Sequence, residues 1–411
     1  MESNARSDKN RMKIFWLMPE CPLPSNTGGR KVEWNRLKYL AKNNDIYFYL
    51  IVDNDEEYQY QAEFEKICKE VHIYKRIKNA KTLLKSVRNP YPAVSRWNEQ
   101  MMRDIDRCYD SIQPDYVIVE FPQMLGNLSS YVRENARIIV EQHNIEHLSM
   151  KSIAEHLNNP IKRVVYKIVS NQLKRYEDRQ YKNTDIELFT FVSTEDKEYF
   201  ENRYPKEKTL CVPIGADVMD LEPIVHSKQL SFVAKMSYEP NETGAIWFET
   251  KVWPDVVSAV PDAQLFLVGK DPSDKLLEAS RKQKNITVTG TVESVDPYYK
   301  ASVAVIAPIL SGGGVKVKLL EGLGYGKLVI STQKALEGTD IVGGEHVLAT
   351  DSPKEFAQYC VDVIKEPEKF ESIRNNAHDL MNQKYSWGGI MNEFEVQLRN
   401  TLNENKKKKL L

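Results

Sequence analysis

Three consecutive glycines at 312–314 stand just before two lysines and a glutamate, Lys316, Lys318 and Glu321. Glycine lets the chain turn sharply and lets a ligand approach the backbone closely. A glycine loop that opens a helix also presents unpaired amide groups, which favour an anion such as phosphate. Lysines beside the loop add positive charge, and Glu321 falls on the same helix face as Lys318. The spacing fits either a phosphate loop or a tight strand-to-helix turn with a surface Lys–Glu pair.

Other candidate residues follow predicted strand ends. Gly28 and Gly29 come after the first predicted strand, where they form either a ligand-facing helix start or a simple helix cap. His143 follows a later strand, where it either moves a proton or serves the fold. Lys235 ends a strand of the second half. Because ligands bind outside the carboxyl ends of strands in doubly wound sheets, all four positions are candidates.

Length and composition exclude several classes of protein. A chain of 411 residues predicts two or three domains, and a formal net charge of −1 gives no global attraction for nucleic acid or a membrane. The five cysteines form no Cys-x-x-Cys pair, which is typical of a reducing cytoplasm and argues against zinc. The polar residues 1–11 and the lack of a long apolar run predict neither a secretory signal nor a membrane span. His143 and His147, with Glu146 beside them, give only a weak metal signal without further ligands, so we expect no metal.

The order of elements predicts an α/β fold. A strand over 12–20, a helix near 31–42 and a second strand form a βαβ unit, which requires a parallel sheet. The stretch 186–196 holds the expected last strand of this half, and a proline-rich connection follows it. Strands and helices then alternate again, so two doubly wound domains are expected. We place the first at 1–212 with 386–411, including a last helix over 388–402 and a disordered basic tail, and the second at 213–385.

A predicted helix over 161–182 has an apolar stripe and a basic face. The basic face could lie on anionic lipid, as could the lysines at 406–409. The alternative is a helix packed on its apolar stripe with a solvated basic face. The sequence favours packing, because Glu177, Asp178 and Asp185 follow closely.

Several motifs of the second half, in order, resemble the donor-binding domain of GT-B glycosyltransferases of family 4. They include "FVAKMSYEPNETGAIWF", "VAVIAPILSGGGVKVKLLEGLGYGKLVIST" and "ALEGTDIVGG", and the similarity covers most of residues 229–385. The first half is similar more loosely, through "PLPSNTGGR" and "EQHNIE". The resemblance implies two Rossmann-like domains facing across a cleft, with a C-terminal helix that crosses back to the first domain.

The resemblance also implies an activity. Such an enzyme moves a sugar, of the hexosyl type, from a UDP- or GDP-linked donor to a hydroxyl of a glycan, lipid-linked or protein acceptor. It retains the anomeric configuration and needs neither metal nor cofactor. Polysaccharide biosynthesis in the cytoplasm, or at the inner face of an anionic membrane, is the expected setting, and no nucleic acid is expected as a partner.

Roles for the glycine-loop residues come from the same resemblance. Glu321 matches the ribose-binding glutamate of the family, and Lys318 matches a basic position near the diphosphate, with Lys316 beside it. Gly313 and Gly314 would allow close approach of the backbone. We therefore expect Lys318 to act both in donor binding and in catalysis.

The remaining roles carry over less directly. Gly28 and Gly29 match a loop that faces the sugar and phosphate, and His143 matches a residue that lines the sugar site, where we expect a catalytic role. Two departures are visible. Gly313 stands where the family often has a first glutamate, and the usual phosphate-contacting arginine is absent from its segment, where Lys235 is the candidate substitute.

Two alternatives to a transferase stay open. The first is a catalytically silent GT-B homologue that binds a partner enzyme or a glycan, which the missing first glutamate leaves possible. The second is a nucleotide-sugar epimerase, which shares the fold. Retention of Lys318 and Glu321 in their loop favours the transferase.

Overall fold

The computed structural model describes residues 11–25, 28–156, 160–312 and 314–410. The chain divides into two compact units, 1–213 with 391–411 and 214–390. The sequence prediction put these boundaries after residues 212 and 385. Each unit contains one parallel sheet with helices, so the predicted α/β class with two Rossmann-like domains is confirmed.

The first unit is built on a seven-stranded parallel sheet of order β3-β2-β1-β4-β5-β6-β7. Its strands are β1 Lys13–Met18, β2 Asp45–Val52, β3 Glu70–Lys75, β4 Tyr116–Glu120, β5 Ile138–Gln142, β6 Ile186–Phe191 and β7 Thr209–Cys211. The central strands are almost continuously apolar and buried except for Lys13 at the start of β1, as expected where helices cover both faces of a parallel sheet. All carboxyl ends of the strands therefore lie at one edge of the sheet.

Helices fill the connections of this first sheet. They are α1 Gly28–Asn43, α2 Gln61–Glu65, α3 Ala80–Lys85, α4 Tyr91–Arg96, α5 Glu99–Ile112, α6 Ser130–Asn135, α7 Glu146–His156, α8 Pro160–Lys182 and α9 Thr194–Arg203, with 3-10 turns at Asp55–Tyr60 and Pro122–Asn127.

The second unit repeats this architecture with six parallel strands in the order β10-β9-β8-β11-β12-β13. The strands are β8 Gln229–Val233, β9 Gln264–Val268, β10 Ile286–Gly290, β11 Ala304–Ala307, β12 Leu328–Ser331 and β13 Leu348–Ala349. The helices are α10 Glu239–Trp247, α11 Trp253–Ala259, α12 Asp274–Arg281, α13 Asp296–Ala301, α14 Val317–Gly324, α15 Pro353–Lys365 and α16 Glu371–Leu380, with π-helical turns at Phe248–Val252 and Met381–Tyr385 and 3-10 turns at Gln333–Leu336 and Pro367–Phe370.

The prediction that the first half ends with the strand over 186–196 is wrong. One more strand, β7, pairs with β6, with Phe189 opposite Thr209 and Phe191 opposite Cys211. This strand has three residues, all half-buried, inside a segment rich in prolines and lysines. It is too short to show a strand period, so the sequence reads as a connection.

Helix α8 has the predicted bounds, but the predicted packing of its apolar stripe is wrong for the first half of the helix. Ile161, Val164, Val165 and Ile168 are 75%, 56%, 50% and 53% exposed. The buried apolar residues lie further along, at Leu173, Tyr176 and Tyr181.

The last helix, α17 Trp387–Leu410, is longer than predicted at its C-terminal end. The basic segment 406–409, expected to be disordered, continues the helix. Residues from Met391 onward belong to the first unit, where Tyr116 Oη donates to the carbonyl of Leu398 at 2.9 Å and Asn43 Nδ2 donates to Glu395 Oε2 at 3.1 Å.

One glycine of α10 allows close packing against the chain that leads to the glycine loop. A Cβ on Gly244 would lie 2.1 Å from the carbonyl oxygen of Pro308, just after β11. Since that neighbour is backbone, it has little freedom to move away. Gly244 therefore fixes the distance between α10 and the start of the glycine loop.

We expect Gly244→Ala to destabilise the second unit, because the added methyl must displace the backbone at Pro308. The expected loss is about 1–3 kcal/mol, seen as a lower urea midpoint of unfolding. Gly29→Ala is the matched control, since a Cβ on Gly29 meets nothing within 4 Å and alanine suits a helix. Equal midpoints in the two variants would contradict the packing role of Gly244.

Candidate functional site

The glycine loop lies where the sequence predicts it, between the carboxyl end of β11 and the start of α14. Gly312 and Gly314 have φ angles of +94° and +69°, in the left-handed region that residues with a side chain adopt only with strain. Gly313 lies outside the described residues. The glycines at 312 and 314 are therefore required by the path of the loop itself.

The loop after β8 comes close to this glycine loop. A Cβ on Gly312 would lie 3.2 Å from Pro240 Cγ and 3.7 Å from Tyr238 Oη. Lys235 belongs to the β8 loop, its side chain is exposed, and its carbonyl accepts a hydrogen bond from Asn241 Nδ2 at 2.8 Å. The structure thus brings the loops after β8 and β11 together, as the topology of a doubly wound sheet requires.

Two lysines at the start of α14 are largely removed from water. Lys316 is buried and donates from Nζ to the carbonyl of Gly314 at 2.5 Å. Burial lowers the pKa of Lys316 to about 8, an effect that nearby Lys334 increases and Glu337 opposes.

Burial likewise lowers the pKa of Lys318 to about 8, and the positive charge of Lys316 lowers it further, while Glu321 opposes the shift. Lys318 makes no ion pair within 4 Å in the part of the chain that the structure describes. Two neighbouring ammonium groups thus share a poorly solvated space. An anion placed there would stabilise both charged forms.

Glu321 lies one turn after Lys318 on α14 and is half-buried. Its charge acts on the phenols of Tyr299 and Tyr325, whose rings are stacked with centroids 4.2 Å apart. Burial raises the pKa of both phenols, and the charge of Glu321 adds to the shift. The carboxylate is therefore held on the same helix as the two lysines and beside a rigid aromatic wall.

A further charged residue of this edge was missed by the sequence prediction. Glu337 follows β12 and the 3-10 turn Gln333–Leu336, and its negative charge favours the protonated form of Lys316. It also pairs with Lys334 at 2.7 Å. The sequence could have indicated Glu337, because it is a carboxylate that follows closely after a predicted strand end. The ends of β8, β11 and β12 therefore all contribute to one edge of the second unit.

In the first unit, Gly28 and Gly29 form the first residues of α1, and Gly29 is exposed. The guanidinium of the neighbouring Arg30 already has partners within the first unit, since it donates to the carbonyl of Leu23 at 3.2 Å and pairs with Glu57 at 2.8 Å. The amide groups at this helix start, rather than the arginine, are therefore the groups that could meet an anion.

His143 lies just after β5, at the carboxyl edge of the first sheet. Burial lowers its pKa to about 3, with a further contribution from the charge of Arg36, so the imidazole is neutral at physiological pH. A neutral imidazole offers one donor and one acceptor. Its ring lies 5.0 Å from that of Phe121, whose φ of +59° is strained for an aromatic residue and is held by a hydrogen bond from Phe121 N to Glu141 O.

A group of fully buried carboxylates surrounds this edge and was not predicted. Its members are Glu33, Glu120 and Glu141. Arg36 Nη1 contacts Glu141 Oε2 at 3.3 Å, and Trp16 Nε1 donates to Glu120 Oε1 at 3.1 Å. Burial raises the pKa of all three carboxyl groups, so protons rather than cations neutralise most of the group. The sequence could have indicated two members of this group, because Glu120 is the last residue of β4 and Glu141 lies near the end of β5.

Two sets of residues among those described could supply three metal ligands. Glu120, Glu141 and His143 place one ligand atom each within 4.8 Å of one another, as do Glu70, His72 and Cys108. In the first set the guanidinium of Arg36 already contacts Glu141. His147 is not available as a ligand, because its Nδ1 lies 2.5 Å from Glu177 Oε2 and its Nε2 lies 2.9 Å from Tyr199 Oη.

Among the described residues no helix is long and apolar enough to cross a membrane. All five cysteines are free thiols.

Known proteins match this chain in both sequence and fold. Residues 227–366 match the family model described as glycosyl transferases group 1. An uncharacterized 44.6 kDa protein from the cps region of Klebsiella pneumoniae is 24% identical over 385 residues, which cover 91% of this chain and 96% of that protein.

Among solved structures, HepE of Anabaena in complex with UDP has a TM-score of 0.67 at 12% identity and covers 95% of this chain and 100% of its own. A glycosyltransferase of Rickettsia africae has a TM-score of 0.64 at 14% identity, with coverage of 96% and 99%. The chain shares the GT-B fold of these proteins over nearly its whole length. Residues 227–366 are similar in sequence to the group 1 glycosyltransferases.

Proposed function

We propose that this protein transfers a sugar from a nucleotide-sugar donor to an acceptor hydroxyl during glycan biosynthesis. The donor is linked to UDP or GDP, and the acceptor is a glycan, a lipid-linked saccharide or a protein. The transfer retains the anomeric configuration and uses no metal or cofactor. The cps-region relative supports the role in glycan biosynthesis. We place the reaction in the cytoplasm, with which the five free cysteines are consistent.

The single observation that carries the proposal is the pair of lysines beside the glycine loop. The negative charge of a nucleoside diphosphate would compensate the positive charges of Lys316 and Lys318. The first amides of α14, at the positive end of the helix dipole, favour the same anion. The solved HepE complex contains UDP in a protein of the same fold. We therefore assign the diphosphate to Lys316, Lys318, Gly313 and Gly314.

Other groups of the second unit fit the rest of the nucleotide. The carboxylate of Glu321 can accept hydrogen bonds from both ribose hydroxyls, since it lies one turn beyond the lysines. Lys235, exposed in the neighbouring loop, is the proposed third cation for the phosphates. The negative charge of Glu337 favours the protonated, positively charged form of Lys316.

Chemistry at the anomeric carbon then depends on stabilising the leaving group. The bond from this carbon to the diphosphate oxygen breaks, the acceptor oxygen attacks from the same face, and the acceptor proton passes to the departing phosphate. Lys318 and the helix amides stabilise the negative charge that develops on this phosphate. Positive charge from lysine takes the part that a divalent cation would otherwise take.

Groups of the first unit are proposed to bind the transferred sugar. The neutral His143 can donate or accept one hydrogen bond without adding charge, which suits a sugar hydroxyl. The helix start at Gly28 and Gly29, where Gly29 is exposed, offers backbone amides to the sugar or phosphate.

We expect Lys318→Met to weaken UDP binding by about tenfold to a hundredfold, because a charge-assisted contact is lost. Lys327→Met is the matched control. The pKa of Lys327 is also lowered to about 8 by burial, but its ammonium donates to the carbonyls of Lys300 at 3.0 Å and Ser302 at 3.2 Å. Calorimetric titration should give wild-type affinity for the control. Equal loss in both variants would remove the assigned role of Lys318.

Glu321→Gln should weaken UDP binding by about fivefold to tenfold without a comparable loss of inorganic pyrophosphate binding, because the carboxylate is proposed to contact ribose and acts on the phosphate site only through its charge. Titration of both ligands against both proteins measures this difference. A parallel loss of pyrophosphate affinity would contradict the ribose assignment.

Donor affinity should fall as pH rises through about 8. The free lysines have pKa values lowered to about 8, and a bound diphosphate raises them, so binding takes up protons and favours low pH. Between about pH 7 and about pH 9 the affinity for UDP should drop about tenfold for each lysine. Titrations in buffers of different ionisation enthalpy measure the proton uptake. A pH-independent affinity would contradict the assignment.

A further inference from the structure

Exposed aliphatic side chains are concentrated on one surface of the first unit. Of the fifteen large hydrophobic side chains exposed in the described residues, eight lie on α3 and the turn after it, on α7 and on the first half of α8. They are Leu83, Leu84, Val87, Ile153, Ile161, Val164, Val165 and Ile168. Single exposed apolar residues are ordinary, but a group of this size marks a surface that another body covers.

The α3 and α8 segments form one surface, which we call the basic-aliphatic surface. Gln172 of α8 donates from Nε2 to the carbonyls of Ser86 at 3.2 Å and Val87 at 3.0 Å. Val87 and Ile168 line the same shallow groove of about 490 Å³. The two sets of aliphatic side chains therefore lie side by side and can meet one partner together.

Positive charge is interleaved with these aliphatic residues. Eight basic side chains belong to the two segments: Lys81, Lys85, Arg88, Lys162, Arg163, Lys167, Lys174 and Arg175. Neither 80–89 nor 160–176 contains Asp or Glu. Of the acidic residues that flank these segments in the sequence, Glu155 lies 3.9 Å from Lys151, Glu177 contacts His147, and Asp178 pairs with Arg203 and also feels the charge of Lys174. Because the whole chain has a formal net charge of −1, this surface differs sharply in charge from the remainder.

We propose that the basic-aliphatic surface docks the protein onto an anionic lipid membrane. Aliphatic side chains flanked by lysine and arginine have the composition of surfaces that bury their apolar residues at the headgroup boundary while cations meet lipid phosphates. A second copy of the chain fits less well, because two such surfaces would bring like charges together. In this proposal the first unit lies on the membrane through the basic-aliphatic surface. The proposal does not depend on sugar transfer, which rests on the second unit.

The test is co-sedimentation with vesicles of phosphatidylcholine alone and of phosphatidylcholine containing about one third phosphatidylglycerol. Wild-type protein should bind the anionic vesicles at least about tenfold more tightly, and less so as salt is raised. Absence of binding to anionic vesicles, or equal binding to both kinds, overturns the proposal.

Substitutions on the basic-aliphatic surface test whether this surface makes the contact with the membrane. Val164→Ser with Ile168→Ser should reduce binding at least about tenfold, since the removed methyl groups no longer enter the bilayer. These residues are exposed in the free protein, so the fold should be unaffected. Val342→Ser is the matched control, being 49% exposed in the second unit. Lys81→Gln with Lys167→Gln should cost about fivefold for each charge, against Lys354→Gln as control.

Equal losses in variant and control overturn the proposal. So does unchanged vesicle binding in the Val164→Ser, Ile168→Ser variant. If that variant instead abolishes a dimer that wild-type protein forms in sedimentation velocity, with vesicle binding unaltered, the surface is an interface between copies and the membrane proposal is wrong. A protein that binds vesicles but binds neither UDP nor GDP would contradict the proposed function and leave the membrane proposal intact.

Discussion

The desolvation of two neighbouring lysines is the constraint around which the second unit is arranged. An ammonium group leaves water at a considerable free-energy cost, and a second one close by increases that cost. Lys316 and Lys318 nevertheless lie at the start of α14, with pKa values lowered to about 8. The glycine loop, the start of the helix and the close packing of Gly244 on Pro308 all hold this arrangement in place. The two buried ammonium groups lower the stability of the free protein, and a bound anion would compensate for this loss. Such local destabilisation is common at binding sites.

The carboxyl edge of the first sheet has the opposite chemistry. There the buried groups are mostly carboxyls whose pKa burial raises, with Arg36 as the contacting cation and a neutral histidine beside them. Such an edge carries little net charge and offers many hydrogen-bonding groups, which suits uncharged hydroxyl-bearing ligands. The proposed glycosyl transfer assigns the nucleotide to the cationic edge of the second unit and the sugar to the nearly neutral edge of the first unit.

The sequence predicts the sheets and the glycine loop well because both depend on local patterns. Buried parallel strands are apolar runs, and glycine before lysine marks a turn into a helix whatever the rest of the fold does. The three-residue strand β7 escaped prediction because it has no measurable period. Arg36 and Glu33 escaped because a charged residue on a helix usually faces solvent, and only the tertiary structure turns these two towards β4 and β5. The prediction for the first half of α8 was wrong in the opposite direction. The helical period of its apolar residues predicts a packed stripe, but nothing in the described residues covers Val164 and Ile168.

Carbon-13 NMR titration of the lysine side chains, with and without UDP, tests the central claim most directly. Signals of Lys316 and Lys318, assigned by their absence in single methionine variants, should titrate near pH 8 in the free protein. Saturating UDP should move both midpoints upward by about one unit or more, because each unit corresponds to about 1.4 kcal/mol of interaction between ligand and ammonium. Midpoints that stay unchanged when UDP is bound would contradict the assignment of the diphosphate to these lysines.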